Sequence, residues 1–174
     1  MGEAKPVSPT GTSTSTHTLT HTATFLSDLV MGTIGDILAE LGIDLTRLYR
    51  DWDQDQGAFQ AWIEEESLAM VVLECHQPGG KVAPIFEFPI TYGAISGVDR
   101  AFVESRASLA RYRAKLDSVP SGTAFRLICT YNGPHSSQPG WGPAQRASTA
   151  DLSSLSFGNL GQAPHAGVAM RYLR

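Results

Sequence analysis

Few of the features that announce a chemistry occur in these 174 residues. There are two cysteines, Cys75 and Cys129, each inside an apolar run, so both read as buried thiols and not as a disulfide or a nucleophile. Basic residues are not in surplus. Thirteen Lys and Arg stand against 17 Asp and Glu, a formal net charge of −4, which argues against a nucleic-acid binder. No run of 18 apolar residues exists, so nothing is expected to span a bilayer. The first ten residues, MGEAKPVSPT, have no apolar core of a signal peptide, and Pro6 stands where myristoylation needs Ser or Thr. A cytosolic protein is expected. G-x-S-x-G, the P-loop, H-E-x-x-H, C-x-x-C and the dinucleotide fingerprint are all missing, so no catalytic motif is visible.

What is there is ordered by period. Residues 1–15, rich in Gly, Pro, Ser and Thr, read as a disordered tail. In STSTHTLTHTATF (13–25) every even position from Thr14 to Thr24 is threonine, which favours an extended segment. From Phe25 to Leu41 apolar residues recur at helical spacing, and Gly42 ends the run. Gly32 and Gly35 inside it suggest a closely packed second backbone. Two short helices follow, the first capped by Asp44 and the second carrying Phe59, Trp62 and Ile63, with Gly57 between them. Their many carboxylates fit a solvated acidic face and match no EF-hand loop. LAMVVLEC (68–75) reads as a strand apolar on both faces, broken only by Glu74. VAPIFEFPITY (82–92) alternates, and Pro84 and Pro89 place it at a sheet edge. A long helix is expected over 98–119, ended by Pro120 and Gly122, and a third strand over 123–131. The expected sheet has the order 82–92, 68–75, 123–131, with 123–131 open to strand addition. After Tyr131 the chain is Gly- and Pro-rich with scattered apolar anchors, an arm that wraps the core.

Candidate chemistry is thin. On an extended chain His17 and His21 lie about 13 Å apart, too far to share a metal. Cys75 and His76 point to opposite faces of a strand. Trp52, Trp62 and Trp141 lack the interleaved basic residues of a base-stacking platform. Three classes stay open: a peptide-binding regulator, a small enzyme using Cys129 or Cys75 with a histidine such as His135, and an arm-swapped oligomerisation module.

The order THTATFLSDLVMGTIGDILAELGID, then two tryptophan-bearing helices, hairpin, helix, strand and the arm with PGWGPAQRAS resembles a bacterial HORMA domain. It is most similar to the single-HORMA family of antiphage operons that signal through cyclic oligonucleotides. The resemblance implies an α+β fold: a three-stranded antiparallel sheet backed by helices, with a core over 16–131 and a C-terminal safety belt over 132–174. It implies no catalysis and no cofactor or metal. It implies three partners: a closure-motif peptide, a CD-NTase synthase activated by the closed complex, and a AAA+ remodelling ATPase. Neither membrane nor nucleic acid is implied as a partner. Carried onto this sequence, the peptide pairs with Phe125, Arg126, Leu127, Ile128, Cys129, Thr130 and Tyr131. The belt holds it through Trp141, Leu152, Leu155, Phe157 and Leu160, and can dock on the opposite edge at Pro84–Tyr92. The remodeller engages Thr16, His17, Thr18, Leu19 and Thr20.

Overall fold

The apolar stripe that begins at Phe25 reaches further back than its large residues suggest. In the computed structural model, which describes residues 11–93 and 102–174 and the side chains of all but 11–17 and 106–108 of these, helix α1 spans Gly11–Glu40. Leu19, Ala23, Leu26, Val30, Ile34, Ile37 and Leu41 succeed one another three or four residues apart, with Ala23 and every later member buried. Its hydroxyl side chains are satisfied by bonding backward, while the buried apolar face holds the helix: Thr24 Oγ1 donates to the Thr20 carbonyl at 3.0 Å and Thr33 Oγ1 to that of Leu29 at 2.6 Å. The threonine-rich segment is therefore helical and not extended. Residues 11–15 of the expected tail also lie in α1, while 1–10 fall outside the described residues. From Thr18 to Glu40 this helix has the length and apolarity of a membrane span. Its apolar side is spent on the protein core.

Asp44 Oδ1 accepts the Thr46 N–H at 2.9 Å at the start of α2, Thr46–Glu64. This is one continuous helix where two were expected. Gly57 costs about 1 kcal/mol there relative to alanine. Burial of Leu48, Phe59, Trp62 and Ile63, at about 1.5–3 kcal/mol each, outweighs it. The glycines of α1 do not meet a second backbone. Gly35 faces the side chains of Leu48 and Trp52, and no atom lies within 4 Å of a Cβ built at Gly32.

Among the described residues the sheet has six strands, not three. They are β1 Leu68–His76, β2 Val82–Tyr92, β3 Val103–Glu104, β4 Ala124–Tyr131, β5 Ser154–Ala163 and β6 Ala166–Leu173, in the order β3-β5-β6-β2-β1-β4, every neighbour antiparallel. The expected trio β2-β1-β4 is present. Its proline-bearing strand is not an edge, because β6 pairs with it. The β2–β6 ladder begins at Ile85, after Pro84, lapses at Phe88 and Pro89, and resumes at Ile90, so neither proline is asked for a hydrogen bond to β6. Helix α3 covers only Arg106–Arg113 of the expected 98–119, of which 98–101 lie outside the described residues. Val103 and Glu104 pair with Gln162 and Gly161, and Ser105 N–H donates to the Leu160 carbonyl at 3.0 Å, so β5 takes the backbone bonds a longer helix would have used. The C-terminal arm is likewise more regular than expected: 154–173 is a hairpin, and only 132–153 is irregular.

Alternation along the strands builds two cores. Val71, Leu73 and Cys75 of β1 with Phe86, Phe88 and Ile90 of β2 face the helices. On the opposite face Val72, Ile85, Ile128 and Leu173 form a smaller cluster, covered by Leu152 and Ala147 from the irregular arm.

Candidate functional site: a slot between strand β4 and the strap

Among the described residues strand β4 ends the sheet, and one side of its backbone has no neighbouring strand there. Beyond it, residues 132–147 cross from the helical layer to the other face of the sheet as a strap. The strap is fastened at both ends. At the first, Trp62 Nε1 donates to the Ser136 carbonyl at 2.8 Å, and Ser136 N–H donates to Glu65 Oε2 at 3.1 Å. These bonds to Ser136 hold the Glu65 carboxyl below its ordinary range. Midway, the Trp141 ring packs 5.7 Å from Phe59 and 5.5 Å from Trp62. At the second end Arg126 Nη2 donates to the Gln145 carbonyl at 2.8 Å, and Ala147 N–H donates to Glu74 Oε1 at 2.7 Å.

Between the strap and β4 lies a cavity of about 640 Å³. Arg126, Leu127, Ile128, Cys129 and Tyr131 of β4 line it, facing Trp62, His135 and Trp141. A volume of this order is in the range of ligand clefts. At one end Arg47 Nη1 donates to the Phe125 carbonyl at 3.1 Å while its guanidinium lies 5.4 Å from the centre of the Phe125 ring. At the other, the Tyr131 and His135 rings stack at 3.5 Å between centroids. Burial raises the Tyr131 hydroxyl pKa.

The residues expected to act together are thus partly assembled. Arg126, Leu127, Ile128, Cys129 and Tyr131 meet Trp141 in the slot; the expected Phe125 and Thr130 are not among its lining residues, Phe125 lining an adjoining cleft with Arg47 and Trp141. The other expected belt residues disperse: Leu152 covers the outer cluster, Leu155 is exposed, Phe157 packs edge-on to Tyr112, and Leu160 is in the main core. Thr16 to Thr20 lie in the early turns of α1. The strand-based spacing that separated His17 from His21 does not hold on a helix, and the His17 side chain lies outside the described residues. Among the described residues no three His, Cys, Asp or Glu side chains group for a metal. Burial pushes Cys75 up to about 12 and Cys129 well above its ordinary value, the opposite of what a thiolate nucleophile needs.

Sequence reasoning missed Arg47, Glu65, Glu87 and Arg146, and noticed Glu74 without using it. A signal existed for the two strand acids: LAMVVLEC and IFEFPI each place one carboxylate among apolar residues, where an isolated charge needs a partner.

Solved structures share this arrangement of strands and helices. A chain of the mitotic checkpoint complex matches with TM-score 0.72 and 11% identity over 87% of this chain and 97% of that one. C. elegans HTP-2 bound to the HIM-3 closure motif gives 0.65 and 11%, covering 85% and 87%. The E. coli MS115-1 HORMA:CdnC:Trip13 complex gives 0.61 and 12%, covering 100% and 97%. At such identities the likeness establishes the fold alone. No curated protein sequence matches the chain. Residues 11–174 match the family described as Bacterial HORMA domain 2, which takes in both the open-edged sheet and the strap. The chain belongs to the Bacterial HORMA domain 2 family.

Proposed function

We propose that this HORMA domain is a peptide-binding switch: an extended segment of a partner adds to β4 and is held beneath the strap. The observation that carries this is the slot itself, a strand edge without a neighbour lying under a strap tied down on both sides. Strand addition supplies affinity through backbone hydrogen bonds, and alternate side chains of the peptide face Trp62 and Trp141 on one side and Arg126 and Ile128 on the other. Arg47 occupies the Phe125 carbonyl, so the edge groups left for an added strand are those of Leu127, Cys129 and Tyr131, the alternate residues whose backbone points away from β1.

The downstream reading follows the E. coli HORMA:CdnC:Trip13 complex. The peptide-loaded domain engages and activates a CD-NTase synthase of cyclic oligonucleotides in cytoplasmic antiphage defence. A Trip13-like AAA+ ATPase takes hold near Thr16–Thr20 and resets the domain.

The test is fluorescence anisotropy of the full chain against extended peptides from the tails of proteins encoded beside it. Each peptide that binds is resynthesised with single backbone N-methyl groups. Micromolar or tighter binding, lost by N-methylation at every second position and tolerated between, is the expected result. Binding indifferent to N-methylation, or no binding by any peptide, overturns the reading.

A further inference from the structure

The face of the sheet turned away from the helices carries two buried carboxylates on adjacent strands, Glu74 on β1 and Glu87 on β2, 0% and 5% exposed. Each has a sheet-borne arginine directly across the ladder: Glu74 pairs in register with Arg126 on β4, and Glu87 with Arg171 on β6. The ion pairs measure 2.9 Å from Glu74 Oε2 to Arg126 and 2.6 Å from Glu87 Oε2 to Arg171. His76 Nε2 lies 3.1 Å from the same Glu74 oxygen. In both carboxylates the second oxygen is turned to the strap. Glu74 Oε1 accepts the Ala147 N–H at 2.7 Å, and Glu87 Oε1 pairs with Arg146. Arg126 adds its bond to the Gln145 carbonyl, so three consecutive strap residues are gripped by one row of charges.

We infer that Glu74 and Glu87 are positioning residues that latch strap residues 145–147 across the outer face of the sheet and so set how readily the slot opens. Two features suit them to release as well as to hold. With the strap gone, each carboxylate keeps its own arginine, so opening leaves no bare buried charge. With the strap in place, Nε of both Arg126 and Arg146 is buried with no partner among the described residues, so the closed arrangement is not fully satisfied by them either. A contact neither optimal when made nor ruinous when broken is what a two-state element requires. That the slot holds a peptide rests on the function proposed above; the latch itself does not.

The experiment is hydrogen exchange on the purified full chain, wild type against Glu87→Gln, Arg146→Gln and Glu74→Gln, following the Ala147 amide, its neighbours over 142–150, and the β1–β2 amides as internal reference. Each variant is expected to speed exchange of the Ala147 segment about tenfold or more, and that of β1 and β2 by clearly less, the loss of one charge-assisted bond being of that order. The double variant Glu87→Gln/Arg146→Gln is expected to exchange no faster than either single one. Unchanged strap exchange overturns the latch. So does a uniform rise across the sheet, which would make the carboxylates general stabilisers of the fold. With any peptide that binds, the same variants are expected to shorten its residence time. If no peptide binds the wild type, the switch reading fails while the exchange data still decide the latch.

Discussion

Asp55 is the carboxylate at which solvent and fold disagree most openly. Half-buried on α2 beside Trp141, it is pushed up to about 6 by burial, with the charge of Asp51 adding to the effect. The native state binds a proton there more tightly than the unfolded chain does, so Asp55 favours folding at low pH. That contribution falls away as pH rises from the ordinary value of 3.8 through about 6. Asp55→Asn is therefore expected to raise the melting temperature at about pH 7.5 and to lose that advantage near pH 4. A lower melting temperature at both pH values would mean that the carboxylate is a needed acceptor. Glu74 behaves oppositely. Burial alone would raise it, but the Ala147 N–H, Arg126 and His76 together bring it below the ordinary carboxylate range, so its contribution persists until pH falls through that lowered value. At the level of single residues the sequence was a mixed guide. Buried Cys75 and core Trp62 could be read from their neighbours. Arg47 on the Phe125 carbonyl could not, because 78 residues separate the two and no local pattern marks the pair.

Among the elements, α1 shows how two periods can share one segment. Threonine at every second position looks like a strand. The same residues contain Leu19 and Ala23 at the spacing that Leu26 and Val30 continue, and the continuous buried face decides. Thr22 is wholly buried and hydrogen-bonds through its hydroxyl to the Pro164 carbonyl at the β5–β6 turn, so the hairpin supports this end of the helix. Gly32 is the weak link of α1. Since nothing would touch a Cβ at that position, Gly32→Ala is expected to stabilise by about 1 kcal/mol, a gain of roughly 2–4 °C in melting temperature. Gly161 on β5 is the reverse case. A Cβ there would run into Leu29 and sit 3.1 Å from the Val103 carbonyl, so Gly161→Ala is expected to loosen β3 and α1 from the hairpin and to lower the melting temperature. Strands β5 and β6 were hidden because Gly158, Gly161 and Gly167 dilute their alternation. What makes them strands is pairing with β2 and with each other, a tertiary cause.

In the molecule as a whole, Trp62 is where helix, sheet and strap meet. It is 1% exposed, its ring lies 5.0 Å from Tyr131 and 5.5 Å from Trp141, and its Nε1 holds Ser136. Trp62→Ala is expected to cost about 3–5 kcal/mol in urea unfolding, a large fraction of the 5–15 kcal/mol typical of a domain. A cost below about 1 kcal/mol would show that the three layers are held together elsewhere. The fold class and the central strands were legible because β1, β2 and β4 carry their own patterns. The true width of the sheet was not, since it depends on a hairpin more than 60 residues further along the chain than β2. That separation gives the two prolines of β2 another meaning. Ile90 pairs with Val168, a contact that closes only after a long intervening loop has been drawn in, and such contacts form late. Without that pairing β2 is a strongly apolar margin of the sheet. Prolines are a common guard on exposed edges. Pro84 and Pro89 therefore suit β2 to be a guarded margin in any state of the chain in which β6 is not paired with it.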